Sequence, residues 1–546
     1  MTNTFSPLMV FLLVFFFQSC LSAQETKSTD NTSTDTSEKS TEPNYYGGDA
    51  AKKLDWAMFY LQNHYVDSTH NDYLVEIAIR SMLDKLDPFS RYQSKEELEK
   101  QQQADNGISE EGVGIMLYPL GNKAMITDIT IDGPADKAGL KRGDLILKVD
   151  NQSMINLRMD TIANRIKGPD STNVKITFER NGTTQDITIQ RAPVPLHSVD
   201  AAHMLTDKVG FIKVGRFNFL TVPEFQEALT SLKKEGMQSL ILDLRNNLGG
   251  VVDASVGLAD EFLVKKKLVI FTHSHNAERE EHYTEKDGGF ESGKVVILVN
   301  QSTASASEIF TASMQDWDRA LVIGQSSYGK GLIQQSYLLG DGSAMRITIG
   351  KYYTPSGRNV QGSYTATQDW LVPYLDKLPA NGYTRQLPVP QQRKYTTRNN
   401  RSLITDVGGI TPDIYVQSST DNYYNQLNNL GLLFPFAVNF SHNSRQQLLE
   451  SFPNGDAFYN STAINKSIES AFLYYAQQQI DANNYAVALQ ASVPPNMLNN
   501  LKAWIGAQVW DNNTYYHIFN MTDPIVLRAL ESFENGDFEA LGLENE

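Results

Sequence analysis

The sequence predicts a multi-domain α/β protein with helical segments at both ends. Buried-looking strands alternate with amphipathic helices from Val209 to Gly324, as in an α/β core. Short β runs with a single helix occupy residues 112–191. Apolar residues recur at helical spacing in residues 49–103 and again beyond Asp421. A chain of 546 residues is long enough to hold several such domains.

The N-terminus has the pattern of an export signal. Residues 5–19 are almost wholly apolar and uncharged. Their central run, residues 8–17, fits a signal-peptide core and is too short to span a bilayer comfortably. We expect a signal peptide over residues 1–23, with cleavage after Ala23. Alternatively, the stretch ending at Cys20 is a loose lipoprotein box, and an acylated Cys20 attaches the protein to a membrane. Either interpretation predicts an exported protein in the periplasm or cell envelope.

Composition narrows the function classes. Cys20 is the sole cysteine, so intrachain disulfides and a thiol nucleophile in the body of the protein are excluded. The net charge of −16 argues against a nucleic-acid binder, which needs a basic face. Residues 24–44 are rich in Thr, Ser, Asp, Glu, Lys and Asn and predict a disordered tether.

Both ends of the folded part are predicted to be helical. Residues 45–105 form the N-terminal helical region, where Leu74, Ile77 and Met82 follow helical spacing. Residues 421–546 form a C-terminal helical extension, with helices expected at 464–481 and 524–533. Nothing in the pattern indicates the purpose of the extension, or of an insert at about 363–393.

Residues 106–195 are predicted to form a small β domain. Strands are expected at 124–131, 145–149, 174–178 and 186–189, a helix at 159–167, and a hairpin turn at Asn181-Gly182. Its spaced motifs resemble a PDZ domain; they are Gly112-Val113-Gly114-Ile115, Gly133-Pro134-Ala135, Ala138-Gly139-Leu140 and Gly143-Asp144. That resemblance implies that backbone N–H groups of Gly112, Val113, Gly114 and Ile115 bind a peptide's C-terminal carboxylate while the peptide adds as a strand.

Residues 196–420 are predicted to be the α/β core. One stretch of this core is similar to a nucleotide-binding motif and has to be distinguished from it. Residues 324–331, ending in Gly329-Lys330-Gly331, match a phosphate-binding loop except for the final Ser or Thr that ligates magnesium. Apolar residues and the turn Asp341-Gly342 follow, which favour a strand and hairpin rather than the helix that a phosphate loop opens. The pattern therefore indicates a role for Lys330 other than phosphate binding.

A serine nucleophile is predicted upstream of Lys330. Residues 297–309 are a buried strand that runs into small hydroxyl residues and then a helix, a setting that can hold a serine on a sharp turn beside helix N–H groups. Ser302, Ser305 and Ser307 are the candidates. No histidine lies in a triad-like motif, so Lys330 is the better base. His273, His275 and His282 with Glu278 could form a metal site, although a solvated loop is favoured.

From Tyr45 to Val416 the chain resembles the C-terminal processing peptidases, the tail-specific serine proteases of family S41, which use a Ser–Lys dyad. The matching motifs are Thr303-Ala-Ser-Ala-Ser-Glu308, Gln315-Asp316, Arg319-Ala320, Tyr328-Gly-Lys-Gly331 with Gln334, Tyr353-Thr-Pro-Ser-Gly-Arg358 and Gly408-Gly-Ile-Thr-Pro-Asp413. The resemblance implies Ser305 as nucleophile, Lys330 as base and Gln334 as the residue that supports the lysine. It also implies an oxyanion hole made by the Ala306 N–H and a second N–H, for which Gly250 is favoured and Gly249 is the next candidate.

The sequence thus predicts an exported serine endopeptidase that needs no cofactor or metal and recognises protein C-termini with apolar tails. The sequence does not decide whether the protein forms a homo-oligomer. One alternative is a non-catalytic PDZ scaffold or chaperone for exported proteins. A penicillin-binding enzyme is a weaker alternative, since Ser231 and Lys234 fit its S-x-x-K pattern but lie on the polar side of a helix. Glu308 and Asp316 match family positions and are equally compatible with structural roles.

Overall fold

The computed structural model describes residues 49–274, 278–362, 393–399, 401–405, 408–417 and 422–543. The predicted signal peptide with Cys20, the tether and nearly all of the 363–393 insert lie outside these residues. The described chain divides into two compact units, one ending at Val75 and one starting at Glu76. No helix in the described ranges combines the length and apolar content required to cross a membrane.

The predicted N-terminal helices are present. Helix α1 spans Asp49–His64 and is exposed along nearly all of its length, with the rings of Trp56, Phe59 and Tyr60 in mutual contact. The elements that follow are α2 (Asn71–Leu83), β1 (Arg91–Gln93) and α3 (Lys95–Asp105). Ser94 caps α3 and forms a capping box with Glu97, which satisfies backbone N–H groups at the helix start.

The β domain is built from short strands, as expected, and it contains a short helix at Pro134–Ala138 in addition to the expected one. Its elements are β2 (Ile108–Gly112), β3 (Ile115–Leu120), β4 (Lys123–Ile129), α4 (Pro134–Ala138), β5 (Leu145–Val149), β6 (Gln152–Ser153), α5 (Met159–Ile166), β7 (Asn173–Arg180), β8 (Thr183–Gln190) and β9 (Ala192–Pro195). The sheet order is β3-β4-β5-β7-β8, which leaves β3 at an edge. The predicted turn joins β7 to β8, with Asn181 and Gly182 both at positive φ.

The α/β core follows in the predicted alternation. Its elements are β10 (Val199–Met204), β11 (Val209–Val214), α6 (Thr221–Lys234), β12 (Ser239–Asp243), α7 (Val252–Ala259), β13 (Leu268–Ser274), β14 (Glu280–Tyr283), β15 (Val295–Val299), α8 (Ala306–Asp316), β16 (Leu321–Gly324), β17 (Leu332–Leu338), β18 (Ala344–Tyr353), β19 (Arg393–Thr396), β20 (Ser402–Thr405) and β21 (Ile414–Tyr415). The central sheet has the order β10-β11-β12-β15-β16-β21 and is parallel except for the β10–β11 pair.

A second, antiparallel sheet holds the hairpin that follows Lys330. Its order is β1-β18-β13-β14, and β17 also pairs with β18. Strand β1 was not predicted, because three residues are too few to show a period of two. It joins this sheet through Arg91, which pairs with Arg346 on β18.

The C-terminal extension is helical, as predicted. Its helices are α9 (Asn422–Asn429), α10 (Leu433–Ser451), α11 (Gly455–Asn460), α12 (Ala463–Asn483), α13 (Pro495–Val509), α14 (Asn512–Asn520), α15 (Pro524–Ser532) and α16 (Asp537–Ala540). Helices α9 to α14 share a core of their own. Phe434 and Val438 on α10 pack on Tyr118, Met125 and Leu145 of the β domain.

The extension also completes the central sheet. Helices α6, α7 and α8 cover one face of this sheet, whereas Ile525, Val526 and Ala529 of α15 and Phe538 of α16 cover the other. A parallel sheet is buried on both faces, since its strands are near-continuous apolar runs. The extension therefore supplies a layer that the core requires.

Candidate active site

The predicted nucleophile sits on a strained turn. Strand β15 ends at Val299 and α8 begins at Ala306, with Ser305 as the residue that caps the helix. Ser305 has φ 56° and ψ −117°, and positive φ is uncommon for residues other than glycine. Such strained strand-to-helix turns present a nucleophilic serine in other hydrolases. The Ser305 N–H donates to Glu308 Oε2 at 2.9 Å.

The other two candidate serines are placed differently. Ser307 is fully buried and its Oγ donates to the Asn247 carbonyl at 3.0 Å. Ser302 lies earlier on the turn, where its N–H donates to Asn300 Oδ1 at 3.2 Å. The geometry thus favours Ser305 among the three.

The glycine turn after β12 packs directly against Ser305. A Cβ added to Gly249 would lie 2.8 Å from both Ser305 Cβ and Ala306 N, so a side chain at Gly249 would push the two turns apart. The Gly249 N–H already donates to Asn247 Oδ1 at 2.9 Å, and its carbonyl accepts from Phe217 N at 3.0 Å.

Two N–H groups beside Ser305 are unpaired. Within the described part of the chain, the N–H groups of Gly250 and Ala306 have no hydrogen-bond acceptor. Both are therefore available to an oxyanion. Between the two glycines considered for this role, the geometry favours Gly250 as the donor and Gly249 as the residue that permits close approach.

Parallel strand pairing explains why these two turns meet. Strands β12 and β15 are neighbours, so the turns at their carboxyl ends lie at one edge of the sheet. Side chains then join the turns. Thr303 Oγ1 donates to the Leu244 carbonyl at 3.0 Å, and Asn300 Nδ2 donates to Asn246 Oδ1 at 2.8 Å.

Lys330 is held in a poorly solvated site on the turn between β16 and β17. Burial lowers the pKa of Lys330 to about 8, and the positive charges of Arg346 and Arg91 act in the same direction. Its Nζ lies 5.2 Å from the centroid of the Phe89 ring. A substantial fraction of neutral amine is thus available near neutral pH, as a general base requires.

One buried carboxylate links the serine turn to the lysine turn. Besides the Ser305 N–H, Glu308 accepts hydrogen bonds from Ser327 Oγ at 2.6 Å, Gly329 N at 2.7 Å and Lys330 N at 2.8 Å. Glu308 is fully buried, and burial raises its pKa although these hydrogen bonds oppose the rise. The sequence offered Glu308 only as a matching family position.

Tyr352 makes a second link that sequence reasoning missed. Its buried hydroxyl donates to the carbonyl oxygens of Ser305, at 3.3 Å, and of Lys330. Tyr352 lies on β18, and no local pattern there signals a contact with either turn. Only the pairing of β18 with β17 brings it to the site.

The turns that carry Ser305 and Lys330 are joined through Glu308 and Tyr352, but no hydrogen bond links the two side chains in the described structure. Among the described residues, Lys330 Nζ has no hydrogen-bond partner and instead faces the Phe89 ring. Gln334 Nε2 donates to the Phe89 carbonyl at 2.6 Å. Gln334 therefore reaches the lysine through Phe89, whose ring faces the ammonium group.

Asp316 is a structural carboxylate. It forms an ion pair with Arg358 at 2.5 Å, and both side chains are almost wholly buried. It also accepts from the Ser356 N–H at 2.8 Å. These contacts fasten α8 to the loop after β18, and none of them involves Ser305 or Lys330.

The predicted carboxylate loop of the β domain lies between β2 and β3. Gly112 ends β2, Gly114 has φ 76°, and Ile115 begins the edge strand β3. The N–H groups of Val113 and Gly114 find no acceptor in the described ranges, while their carbonyls accept from Ala135 and Thr130. Strand β3 shares a core with α5. Unpaired N–H groups beside an open strand edge suit a peptide terminus.

The rejected motifs can be placed as well. Ser231 and Lys234 are both exposed on α6, as a solvated helix face predicts. His273 and His282 lie on β13 and β14, whereas His275 is outside the described residues. Within the described ranges, no group of three or more His, Cys, Asp or Glu residues is placed to hold a metal ion.

Comparison with family profiles divides the chain into four matching regions. Residues 208–370 match peptidase family S41 and residues 125–180 match the PDZ domain. Residues 10–97 match the N-terminal domain of the activating protease CtpB, and residues 423–511 match a family of unknown function.

Individual proteins are similar over the greater part of the chain. The "Probable CtpA-like serine protease" of Staphylococcus haemolyticus is 31% identical over 359 residues, which cover 65% of this chain and 70% of that protein. The protein of the same name from Staphylococcus saprophyticus is 32% identical over 317 residues, covering 58% and 64%, so the chain spans slightly less than two thirds of that relative. The solved photosystem II D1 C-terminal processing protease is 24% identical with a TM-score of 0.36, covering 67% of this chain and 86% of that one.

Proposed function

The chain belongs to peptidase family S41, and from this premise we propose that it is an exported endopeptidase with a Ser305–Lys330 dyad. Its PDZ domain captures protein substrates by an apolar C-terminal tail, and the dyad hydrolyses a peptide bond of the captured chain.

One observation carries the catalytic part of this proposal. The buried Glu308 carboxylate accepts hydrogen bonds from the backbone N–H groups of both Ser305 and Lys330. A fully buried carboxylate is costly to maintain unless it is hydrogen-bonded. Here it fixes the relative position of a strained serine and a lysine whose pKa is lowered to about 8. A scaffold without catalysis needs neither the strained serine nor the lowered lysine.

The reaction follows from these groups. The neutral Lys330 amine removes the Ser305 proton while Oγ attacks the substrate carbonyl carbon. The negative oxygen of the tetrahedral intermediate accepts hydrogen bonds from the Gly250 and Ala306 N–H groups. The Lys330 ammonium then protonates the leaving amine, and an acyl group remains on Ser305. Water completes the cycle with Lys330 again acting as base.

This sequence of steps requires a hydrogen bond between Ser305 and Lys330. Its Nζ faces the Phe89 ring and makes no hydrogen bond to Ser305 in the described structure. The amine and Ser305 Oγ must come within hydrogen-bond distance before a proton can pass. Hydrogen bonds between catalytic groups often tighten only when substrate is bound.

The PDZ part of the proposal depends on charge and edge pairing. The unpaired N–H groups of Val113 and Gly114 suit a terminal carboxylate, and β3 can pair with the peptide that carries it. Ile115 and Leu117 border the apolar core shared with α5, which favours an apolar side chain on the bound peptide.

Two substitutions test the dyad. Ser305→Ala and Lys330→Ala should each lower kcat/KM by roughly 10³-fold or more on a fluorogenic peptide with an apolar free-acid C-terminus, since both remove one proton-transfer step. The matched control is Ser302→Ala, which alters the same turn and should retain activity. Undiminished cleavage by Ser305→Ala would refute the nucleophile assignment. A wild-type protein that binds the peptide and leaves it intact would favour the PDZ scaffold or chaperone.

A further inference from the structure

An ion pair joins the C-terminal extension to the turn that carries Gly250. Arg245 is the first residue of this oxyanion turn (residues 245–250), directly after the Leu244 that ends the buried strand run. Its Nη1 lies 2.6 Å from Oδ2 of Asp523, with the two side chains 13% and 6% exposed. The two residues are 278 positions apart in the chain.

Charged side chains contact the backbone N–H, the carbonyl and the guanidinium group of Arg245. Its N–H donates to Asp243 Oδ1 at 2.8 Å, and its guanidinium donates to both carboxylate oxygens of the same residue. The Arg245 carbonyl accepts from Nζ of the buried Lys213. Arg245 and Lys213 therefore contact two carboxylates, Asp243 and Asp523, which balance their charge. Asp200 lies nearby, and burial raises its pKa, which weakens its capacity to replace either carboxylate.

We propose that Asp523 is a positioning residue of the peptidase, through which the C-terminal extension holds the oxyanion turn in its active shape. The inference rests on the proposed function, because it concerns the same oxyanion hole. It gives the C-terminal extension a role in catalysis; residues 423–511 of this extension match a family of unknown function, and Asp523 lies in the helical part that follows.

The physical reason lies in what happens when Asp523 loses its charge. The cluster would then hold two cations and one close carboxylate out of water, and removal of one partner from a buried pair is strongly unfavourable. Arg245 or Lys213 must move to regain solvent or a partner. Either movement shifts the Arg245 peptide group, and with it the chain that leads to the Gly250 N–H. A small displacement of a catalytic group can cost on the order of 10²-fold in rate.

The capping geometry allows this charge to be removed with little other change. Asp523 caps α15, and its Oδ1 accepts from the N–H groups of Ile525 and Val526 while Oδ2 faces Arg245. Asn and Ser are also favoured capping residues. Asp523→Asn and Asp523→Ser therefore keep the cap and remove the ion pair.

A second pair between extension and core provides the matched control. Lys294 Nζ lies 3.0 Å from Glu539 Oε1. Lys294 precedes β15, so this pair lies at the amino end of the strand, whereas the oxyanion turn lies at the carboxyl ends of the strands. Glu539→Gln breaks this pair without touching the oxyanion turn.

The experiment compares kcat, KM and inhibitor affinity in the full-length protein. The probes are a fluorogenic peptide with an apolar free-acid C-terminus and a peptide aldehyde, which adds to Ser305 and places its oxygen in the oxyanion hole. For Asp523→Asn and Asp523→Ser we expect kcat to fall about tenfold or more while KM stays within about twofold. Aldehyde affinity should fall by a matching factor, and Glu539→Gln should match the wild type.

Each contrary result overturns the inference in a recognisable way. Unchanged kcat in Asp523→Asn would mean that the pair does not position the turn. An equal loss in Glu539→Gln, or failure of both Asp523 variants to fold, would mean that the pair is structural only. A wild-type protein without Ser305-dependent cleavage would remove the proposed function, and this inference with it.

Discussion

In the proposed mechanism, Arg346 helps to set the pH at which Lys330 acts as a base, although it takes no part in proton transfer. Its positive charge is the largest cause, after burial, of the lowered Lys330 pKa. Arg346→Gln removes that charge from β18 and leaves the strand pairing of its backbone in place. The Lys330 ammonium then becomes more stable, so the pKa of Lys330 rises from about 8 toward 10.5.

The size of the effect follows from the fraction of neutral amine. With a pKa of about 8, roughly a tenth of Lys330 is neutral at pH 7, whereas an ordinary lysine with a pKa of 10.5 would be about 0.03% neutral. The whole shift is therefore worth about 300-fold in competent enzyme at pH 7. Because burial is the larger cause, we expect Arg346→Gln to lower kcat/KM at pH 7 by about 3- to 10-fold.

The assay is a profile of kcat/KM against pH, which reports pKa values of the free enzyme. Wild-type activity should rise with pH and level off above about 8, and the Arg346→Gln profile should level off at higher pH with a similar maximum. Lys351→Gln, an exposed residue on the same strand, is the control and should leave the profile unchanged. Superimposable wild-type and Arg346→Gln profiles would refute the electrostatic account, and so would a loss that is equal at every pH.

Three further outcomes are expected. Lys330→Met should raise the free energy of unfolding at pH 7 by up to about 3 kcal/mol. The lowered pKa of Lys330 destabilises the folded state by its full amount below pH 8, and this destabilisation disappears as the pH rises to 10.5. Urea titrations in which the stability gained by Lys330→Met does not depend on pH would contradict this account. Glu308→Gln should lower kcat about tenfold or more, since an amide NH₂ would face N–H donors, whereas the exposed Glu227→Gln should have no effect. Amidation of the peptide's C-terminus should weaken capture by about 1.5 to 3 kcal/mol, and equal kcat/KM for acid and amide would show that the PDZ domain does not read the terminus.

Local patterns in the sequence predict much of the secondary structure, because strands and helices of ordinary length carry their own period. The helices at 159–166 and 524–532 and the strand at 145–149 lie within a residue of expectation. Strand β1 escapes this reasoning because its three residues take their conformation from β18. The extension was predicted as helices, yet its place on the second face of the sheet depends on contacts far apart in the chain.

The candidate site divides in the same way. Ser305, Lys330 and the glycines at 249–250 lie in short motifs, and the resemblance of these motifs to those of the S41 family is what singled the residues out. Tyr352 and Asp523 have no such signature. A tyrosine in a strand and an aspartate at a helix start are common, and only their position in space gives them a catalytic neighbour.

By itself, then, the sequence determined the order of the elements, the family and the residues that carry the proposed chemistry, since these depend on local conformation and residue type. Tertiary structure alone decided which groups bear on that chemistry. Hydrogen bonds and charge act through space over a few ångströms, whatever the separation along the chain. Packing on opposite faces of the central sheet therefore decided that Glu308 on α8 would join the serine turn to the lysine turn, and that the extension would reach residues 245–250 through Asp523.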